Sequence, residues 1–245
     1  MKNLFIIFFS GLIVYSSSED EIMKTDFNNL NQISGEELLN KSISYHDPNN
    51  SWNNFNGVMN ITMTRPDKSQ RNSEVEIDIL RSFFRSKVIQ DENTIEQIVE
   101  NDLCKITLNG KSTFSEDEIK KHRLTCGFAL KMRNYYTYLY GLPMKLKDPG
   151  TIINPSVTTR NFKGKEYLVL TVDYEEPVGK DRWYFYFNPK SYALEVYQFF
   201  HEESKNDGEY ILLSEEKEIS GIKMPKIRSW FYNEKDKFLG TDTLN

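Results

Sequence analysis

The chain has 245 residues, a formal net charge of -5, a 13% aromatic content and a mean hydropathy of -0.60. The negative charge argues against nucleic acid and against an anionic membrane surface as partners, because both attract basic proteins. A high aromatic share in a polar chain concentrates apolar surface in a few large side chains, which suits thin sheets with one buried face.

Residues 1–18 have the pattern of a secretory signal peptide. Lys2 precedes an apolar run over residues 4–14, and serines occupy positions 16–18. The run is shorter than the about 20 apolar residues that a membrane-spanning helix needs. We therefore predict an exported protein, periplasmic or extracellular, that is cleaved near Ser18, has no stable membrane span and forms a single domain over residues 19–245. The alternative is an N-terminal segment that is retained as an anchor.

Ser34 and Glu37 mark the start of the first predicted helix. Their spacing is that of a capping box, and Leu38 and Leu39 begin the apolar side of the helix. The helix is expected to end at Asp47, because a residue before proline is pushed out of the α region.

His46 and Asp47, at the end of this helix, have two interpretations. A histidine there is stabilised by the helix dipole, and an aspartate before proline is a common turn residue, so the pair can be structural. In the alternative, both residues and Trp52 lie at the rim of a cavity, where they hold a polar head group.

After residue 56, the repeat of the apolar residues changes from 3.6 residues, which is typical of a helix, to 2 residues, which is typical of a strand. Apolar and polar residues alternate over 59–63 and 75–79, and Arg65-Pro66-Asp67-Lys68 supplies a turn between them. This pattern predicts an antiparallel hairpin with one wet face. Further short strands are predicted over residues 83–89, 94–99 and 105–108.

A second capping box, Ser115 with Glu118, opens the other predicted helical region. Gly141 is expected to end this region as a C-cap. The apolar stripe of the helix carries Phe128, Met132, Tyr135, Tyr136 and Leu139.

From residue 157 to the C-terminus the pattern is strand after strand with short turns, which predicts an antiparallel meander. The fold class is therefore mainly β (α+β). We expect a strongly curved antiparallel sheet of about eleven strands, a half-barrel, that is covered by two helical segments.

The two cysteines, Cys104 and Cys126, are predicted to form a disulfide, because export places thiols where they oxidise. The alternative is a reactive thiol at Cys126 with His122 as its base, four residues earlier. No cofactor, catalytic residue or metal ligand is predicted, since the chain lacks nucleophile-elbow, zinc-protease and Cys-x-x-Cys motifs. A metal site assembled only by folding is the alternative.

Several motifs in order resemble an uncharacterised family of exported bacterial proteins of the Bacteroidetes type. They are Tyr45-His46-Asp47-Pro48, the stretch over residues 140–151, Trp183-Tyr184-Phe185 and the stretch over residues 221–230. That family is similar in strand and helix order to LolA and LolB, periplasmic lipoprotein carriers. The resemblance implies a curved half-barrel that is closed by helices around an apolar cavity for acyl chains.

The helix end and its exit loop, residues 135–151, are candidates for a movable lid over such a cavity. Methionine adapts to varied apolar shapes, and tyrosine suits a wet boundary. In the alternative interpretation the tyrosines simply complete the core. The predicted ligand-binding residues are Tyr136, Tyr140, Leu142 and Met144 in the lid and Trp183, Phe185, Tyr197 and Trp230 in the opposite wall. The predicted polar rim consists of His46, Asp47, Trp52, Arg133 and Lys145.

The sequence therefore favours an exported carrier or binding protein for a hydrophobic small molecule or lipid, which acts by burial without catalysis. The alternative is a structural or protein-interaction module of the cell envelope, with an envelope protein as its partner and a filled core. A hydrolase or lyase with a site built from His46, Asp47, Arg133 and Lys145 is the third hypothesis.

Overall fold

The computed structural model describes residues 33–245. The predicted signal peptide and its cleavage near Ser18 lie outside the described residues. Over residues 33–245, each helix is too short or too polar to span a bilayer.

Three α-helices occur in the described part of the chain: α1 (Gly35–His46), α2 (Glu116–His122) and α3 (Cys126–Gly141). Both predicted capping boxes are present. The Ser34 hydroxyl accepts a hydrogen bond from the Glu37 N–H at 3.2 Å, and the Ser115 hydroxyl accepts one from the Glu118 N–H at 3.3 Å. The predicted second helical region is divided in two, because Arg123 takes a left-handed conformation before Thr125 caps α3.

The prediction that Gly141 is a C-cap is wrong. Gly141 is the last residue of α3, and Leu142 is the C-cap residue. A Cβ at position 141 would overlap the Trp52 indole ring, so the glycine permits a close approach between helix and ring. Trp52 therefore packs directly on the C-terminal end of α3.

Within residues 33–245, twelve strands form one open antiparallel sheet, one strand more than the about eleven that the sequence predicted. Their order is β5-β4-β3-β2-β1-β12-β11-β10-β9-β8-β7-β6. The bounds are β1 Asn56–Arg65, β2 Lys68–Asp78, β3 Phe83–Gln90, β4 Asn93–Glu100, β5 Leu103–Leu108, β6 Thr151–Phe162, β7 Lys165–Tyr174, β8 Arg182–Phe187, β9 Leu194–Phe200, β10 Glu209–Ile219, β11 Ile222–Tyr232 and β12 Phe238–Leu244.

The two meanders join where β1 pairs with β12 in the middle of the sheet. Ile61 lies opposite Leu244, and Met63 lies opposite Asp242. Strands β5 and β6 are the two sheet edges, and α2 and α3 belong to the connection between them. This helical connection therefore crosses one face of the sheet, which we call the helix-covered face.

The helix-covered face is identified by ring contacts with α3. Tyr136 stacks on Phe84 of β3 with 6.1 Å between ring centroids, and Tyr138 contacts Trp183 of β8 at 6.1 Å. Because strand side chains alternate between faces, Phe185 shares this face with Trp183. The α1 helix lies on it too, since Gly35 abuts Leu170, which is opposite Phe185 in the sheet.

The outer face carries a second aromatic cluster, which the sequence did not predict. Tyr184 and Tyr186 point there, and Phe162 packs on Tyr186 at 5.0 Å and on Tyr210 at 5.3 Å between ring centroids. Phe162 is in β6 and Tyr210 is in β10, with β7, β8 and β9 between them. The sheet therefore curls until the end of β6 covers its own outer face, and β8 is buried on both faces instead of one.

The predicted disulfide between Cys104 and Cys126 is confirmed, with a Cα–Cα distance of 5.5 Å. Cys104 is in the edge strand β5, and Cys126 is the first residue of α3. The bond ties the start of α3 to one edge of the sheet and leaves no free thiol.

Candidate functional site

The four predicted lid residues lie at the end of α3 and in the turn after it. Tyr136 and Tyr140 face the sheet with 6.3 Å between their ring centroids. Leu142 and Met144 follow the helix end, and all four side chains are buried. The structure therefore brings the predicted lid together on the helix-covered face.

The four predicted wall residues form a continuous row of rings on the same face, which we call the aromatic row. Trp183 stacks on Phe185 at 6.0 Å between ring centroids and contacts Tyr197 at 6.2 Å. Tyr197 in turn contacts Trp230 edge-to-face at 6.3 Å. The row runs from β8 through β9 to β11, and α3 lies across it.

The central rings of the aromatic row, Phe185 and Tyr197, are closely packed together with Tyr140 of α3, whereas Trp183 and Trp230 are half-buried. Phe185, Tyr140 and Tyr197 expose 0%, 1% and 2% of their surface. A side chain that lines a hollow large enough for water keeps accessible surface, so no such hollow adjoins these three residues. A ligand can enter beneath α3 only if α3 moves.

An open cleft, the α3 cleft, runs along the flank of α3 and has a volume of about 840 Å³. The helix contributes Arg133, Thr137 and Tyr138, and the turns of the sheet form the opposite side. Its lining mixes apolar side chains, among them Ile77, Ile79, Phe83 and Val178, with the charged residues Asp102, Lys145 and Asp148. Tyr138 contacts Trp183, so the cleft adjoins the aromatic row.

The five predicted rim residues are divided between two environments. Arg133 and Lys145 line the α3 cleft, where they pair with Asp102 and Asp148. The other three, His46, Asp47 and Trp52, are buried. Trp52 also borders a smaller cleft of about 370 Å³ that it shares with Met144 and Lys145.

His46 and Asp47 use their polar atoms within the chain. The His46 Nδ1–H donates to the Lys223 carbonyl at 2.8 Å, and its Nε2 accepts from the Leu194 N–H at 2.9 Å. This pair of bonds requires a neutral ring, and burial lowers the pKa of His46. The Asp47 carboxylate accepts from the Ser51 N–H at 2.7 Å and from the Trp52 N–H at 2.9 Å.

A buried polar cluster lies in the middle of the helix-covered face, and sequence analysis missed it. Arg228 on β11 exposes 1% of its surface, and its cross-strand partner Asp242 on β12 exposes 4%. The guanidinium of Arg228 lies over the Tyr140 ring at 4.1 Å. Burial raises the pKa of Asp242, and the charges of Arg71 and Arg228 oppose that shift.

The strand pattern contains the information that could have predicted this cluster. Arg71 and Val75 are four residues apart on β2, so their side chains point to the same face of the sheet. Arg228 and Trp230, two residues apart on β11, also share a face. Each arginine therefore lies on the face of an apolar residue. Asp242 is in phase with Leu244 on β12. Only the pairing of β1 with both β2 and β12 brings Arg71 near the other two residues, with the single strand β1 between β2 and β12.

An open antiparallel sheet with helices across one face is also the fold of a LolA superfamily protein from Nitrosomonas europaea. That structure is 11% identical and has a TM-score of 0.51, over 87% of this chain and 92% of that chain. The chain belongs to DUF6503, a family of unknown function whose family model matches residues 5–245. The resemblance that the sequence motifs indicated is thus confirmed in family and in fold.

Two further solved structures are similar at lower scores. A putative outer membrane lipoprotein-sorting protein domain from Vibrio parahaemolyticus is 10% identical, with a TM-score of 0.46 over 86% of this chain and 90% of that chain. A DUF1329 family protein from Desulfovibrio piger is 8% identical, with a TM-score of 0.47 over the same shares of the two chains. No curated protein matches the sequence.

Proposed function

We propose that the protein is an exported carrier or binding protein for an apolar ligand the size of a lipid acyl chain, and that it acts by burial without catalysis. The observation that carries the proposal is the α3 cleft. Its volume of about 840 Å³ falls within the range of about 300–1,000 Å³ that is typical of small-molecule sites. Tyr138 at the wall of the cleft contacts Trp183, so the cleft leads to the apolar rings of the aromatic row.

The position of α3 supports a lid function. The helix belongs to no strand ladder, and it packs on the sheet through ring contacts at 6.1 Å for Tyr136 on Phe84 and for Tyr138 on Trp183, together with a side-chain hydrogen bond between Tyr138 and Tyr174. Burial of apolar area contributes about 25 cal/mol per Å², so an acyl chain needs few polar contacts to bind. If an acyl chain displaced α3, the aromatic row would exchange its apolar contact with the helix for an apolar contact with the acyl chain.

Two observations support export to the periplasm or the cell exterior. Residues 1–18 have the composition of a signal peptide. The disulfide between Cys104 and Cys126 is typical of proteins in oxidising compartments. The fold shared with the LolA superfamily protein is compatible with such a location.

The proposal is tested with oleyl alcohol, a neutral long-chain probe, titrated into the delipidated mature protein and followed by native mass spectrometry. Thr137→Trp places a large side chain in the α3 cleft and is expected to weaken binding at least about tenfold, because the acyl chain loses the space. Lys131→Trp, on the exposed side of the same helix, is the matched control. Wild-type protein that binds no probe, or two variants that bind equally well, would contradict the proposal.

The close packing of Phe185 and Tyr197 favours a second candidate, a non-catalytic interaction module of the cell envelope with a filled core. Phe185 and Tyr197 expose too little surface to bind anything while α3 stays in place. This candidate predicts protein that purifies without lipid and binds no oleyl alcohol. An envelope protein would then be the partner.

A further inference from the structure

The polar cluster beneath α3 has an excess of positive charge. Arg65, Arg71 and Arg228 lie close enough to Asp242 to influence its ionisation, and Asp242 is the carboxylate that they share. Among residues 33–245, none of the three arginines forms an ion pair with a carboxylate, and the Nε atom of each has no hydrogen-bond partner. Arg228 is buried, and Arg65 and Arg71 are half-buried. An uncompensated cation away from water is unfavourable, so the position of Arg228 requires an explanation.

Several neighbouring donors are also unpartnered within the described residues. Buried polar groups in native proteins are nearly always hydrogen-bonded, and a concentration of exceptions in one place is unusual. Apart from the three guanidinium nitrogens, the atoms without a partner of ordinary hydrogen-bond geometry include the Tyr140 hydroxyl and Asp242 Oδ1. The hydroxyls of Ser73 and Tyr197 and the indole nitrogen of Trp230 also lack such geometry, though they interact with Tyr136, Arg228 and Asp242. Except for the Asp242 oxygen, all of these atoms can donate a hydrogen bond, which is what an anion needs.

We propose that this cluster, centred on Arg228 and Arg71, binds the anionic headgroup, a carboxylate or a phosphate, of a single-chain amphiphile whose tail lies along the aromatic row. The inference rests on the proposed function and adds the class of ligand. Guanidinium groups are suited to both headgroups, because their fork of N–H donors matches two oxygens at once.

The aromatic row gives the tail a defined direction. Trp230, which adjoins the cluster, contacts Tyr197, and Tyr197 contacts Trp183. Trp183 contacts Tyr138 at the wall of the α3 cleft. A headgroup at Arg228 therefore places the tail along the row toward the cleft. The Tyr140 ring now covers the Arg228 guanidinium at 4.1 Å. When α3 moves, the ring moves with it, and the guanidinium becomes accessible to the headgroup.

The test compares two probes with the same tail, oleate and oleyl alcohol, by calorimetric titration of the delipidated mature protein. Wild-type protein is expected to bind oleate at least about tenfold more tightly, since a charge-assisted contact in a closed site contributes about that much. Arg228→Met is expected to remove this preference, because it weakens the binding of oleate far more than the binding of oleyl alcohol. Arg182→Met, which removes an exposed guanidinium paired with Asp173, is the matched control and should keep the preference.

Other outcomes overturn the inference. Equal affinities of the wild-type protein for oleate and oleyl alcohol would contradict the headgroup site and leave the proposed function intact. If the wild-type protein bound neither probe, both proposals would be contradicted. Inorganic phosphate that binds alone as tightly as oleate would show a site for free anions instead of amphiphiles. Should Arg228→Met fail to fold, Arg71→Met, at a less buried position, is expected to reduce the preference for oleate.

Discussion

At the scale of single residues, His46 shows how a candidate binding group can be fully occupied within the chain. Its two ring nitrogens join the Lys223 carbonyl to the Leu194 N–H and so connect α1 to β11 and β9. Asp47 in turn binds two backbone N–H groups of the following loop. The sequence allowed either a structural or a ligand-binding interpretation, and these contacts support the structural one.

The neutral state of His46 makes the stability of the protein depend on pH. The pKa of His46 is lowered in the folded chain, so below about pH 6.5 the unfolded chain takes up a proton that the folded chain does not. The stabilisation is present above that pH and is lost as the pH falls through the lowered pKa. Between about pH 7.5 and about pH 5.5, the wild type is expected to lose about 1 kcal/mol more free energy of unfolding than His46→Asn.

Urea unfolding at both pH values measures this difference. His46→Asn should also be less stable at the higher pH by about 1–3 kcal/mol, because the Leu194 N–H loses its partner. His201→Asn is the control. Asp181 raises the pKa of His201, so replacing His201 should change the pH dependence of the free energy of unfolding in the opposite direction. A pH dependence of the His46 variant that matches the wild type would contradict the prediction.

Residue type and alternation predicted which strands and which helix carry the aromatic side chains, though not which side chains meet. The wall residues Trp183 and Phe185 alternate with Tyr184 and Tyr186, and both sets are aromatic, so the pattern alone could not decide which set faces α3. The structure decides it through the Tyr138–Trp183 contact. The sequence did not predict the burial of Arg228 and Asp242, because it depends on a helix that is distant in sequence.

At the scale of elements, α3 is held at both ends and packs by its side chains between them. The disulfide to β5 fixes its first residue, and the contact between Gly141 and Trp52 fixes its last. The capping boxes of α1 and α2 were predictable because they are local patterns. The division between α2 and α3, and the contact at Gly141, were not, because they depend on Arg123 geometry and on a ring that lies far away in sequence.

Gly141→Ala is expected to destabilise the protein. The new methyl group would overlap the Trp52 ring, and overpacking of this kind costs about 1–3 kcal/mol, more than the roughly 1 kcal/mol that alanine gains over glycine in a helix. Gly127→Ala on the same helix meets no atom within 4 Å and should stabilise the protein by up to about 1 kcal/mol. The midpoints of urea unfolding give both values. Equal shifts in the two variants would show that Trp52 does not restrict position 141.

At the scale of the whole molecule, the pairing of β1 with β12 converts two meanders into one sheet. Each hairpin is encoded locally, and the sequence predicted them from alternation and turn residues. The junction is different, because Met63 and Asp242 meet across most of the chain and no short-range pattern specifies the partner. The same junction places Arg71 on β2 across β1 from Asp242 on β12, which is paired with Arg228 on β11. The polar cluster therefore depends on this strand pairing.

A carrier with this architecture must open α3 while the sheet stays folded. The helix lies outside the strand ladders, so its opening breaks ring contacts, the Tyr138–Tyr174 hydrogen bond and the Arg133–Asp102 ion pair, and spares the sheet hydrogen bonds. We therefore expect amides around Tyr136 and Tyr140 to exchange hydrogen through a local opening with a lower free energy than the amides of β11, which should exchange only on global unfolding. Native-state hydrogen exchange in low urea measures both, and oleyl alcohol should alter exchange in α3 and leave β11 unchanged. Equal exchange free energies for α3 and β11, insensitive to the probe, would mean that α3 belongs to the permanent core and would leave the interaction module as the better account.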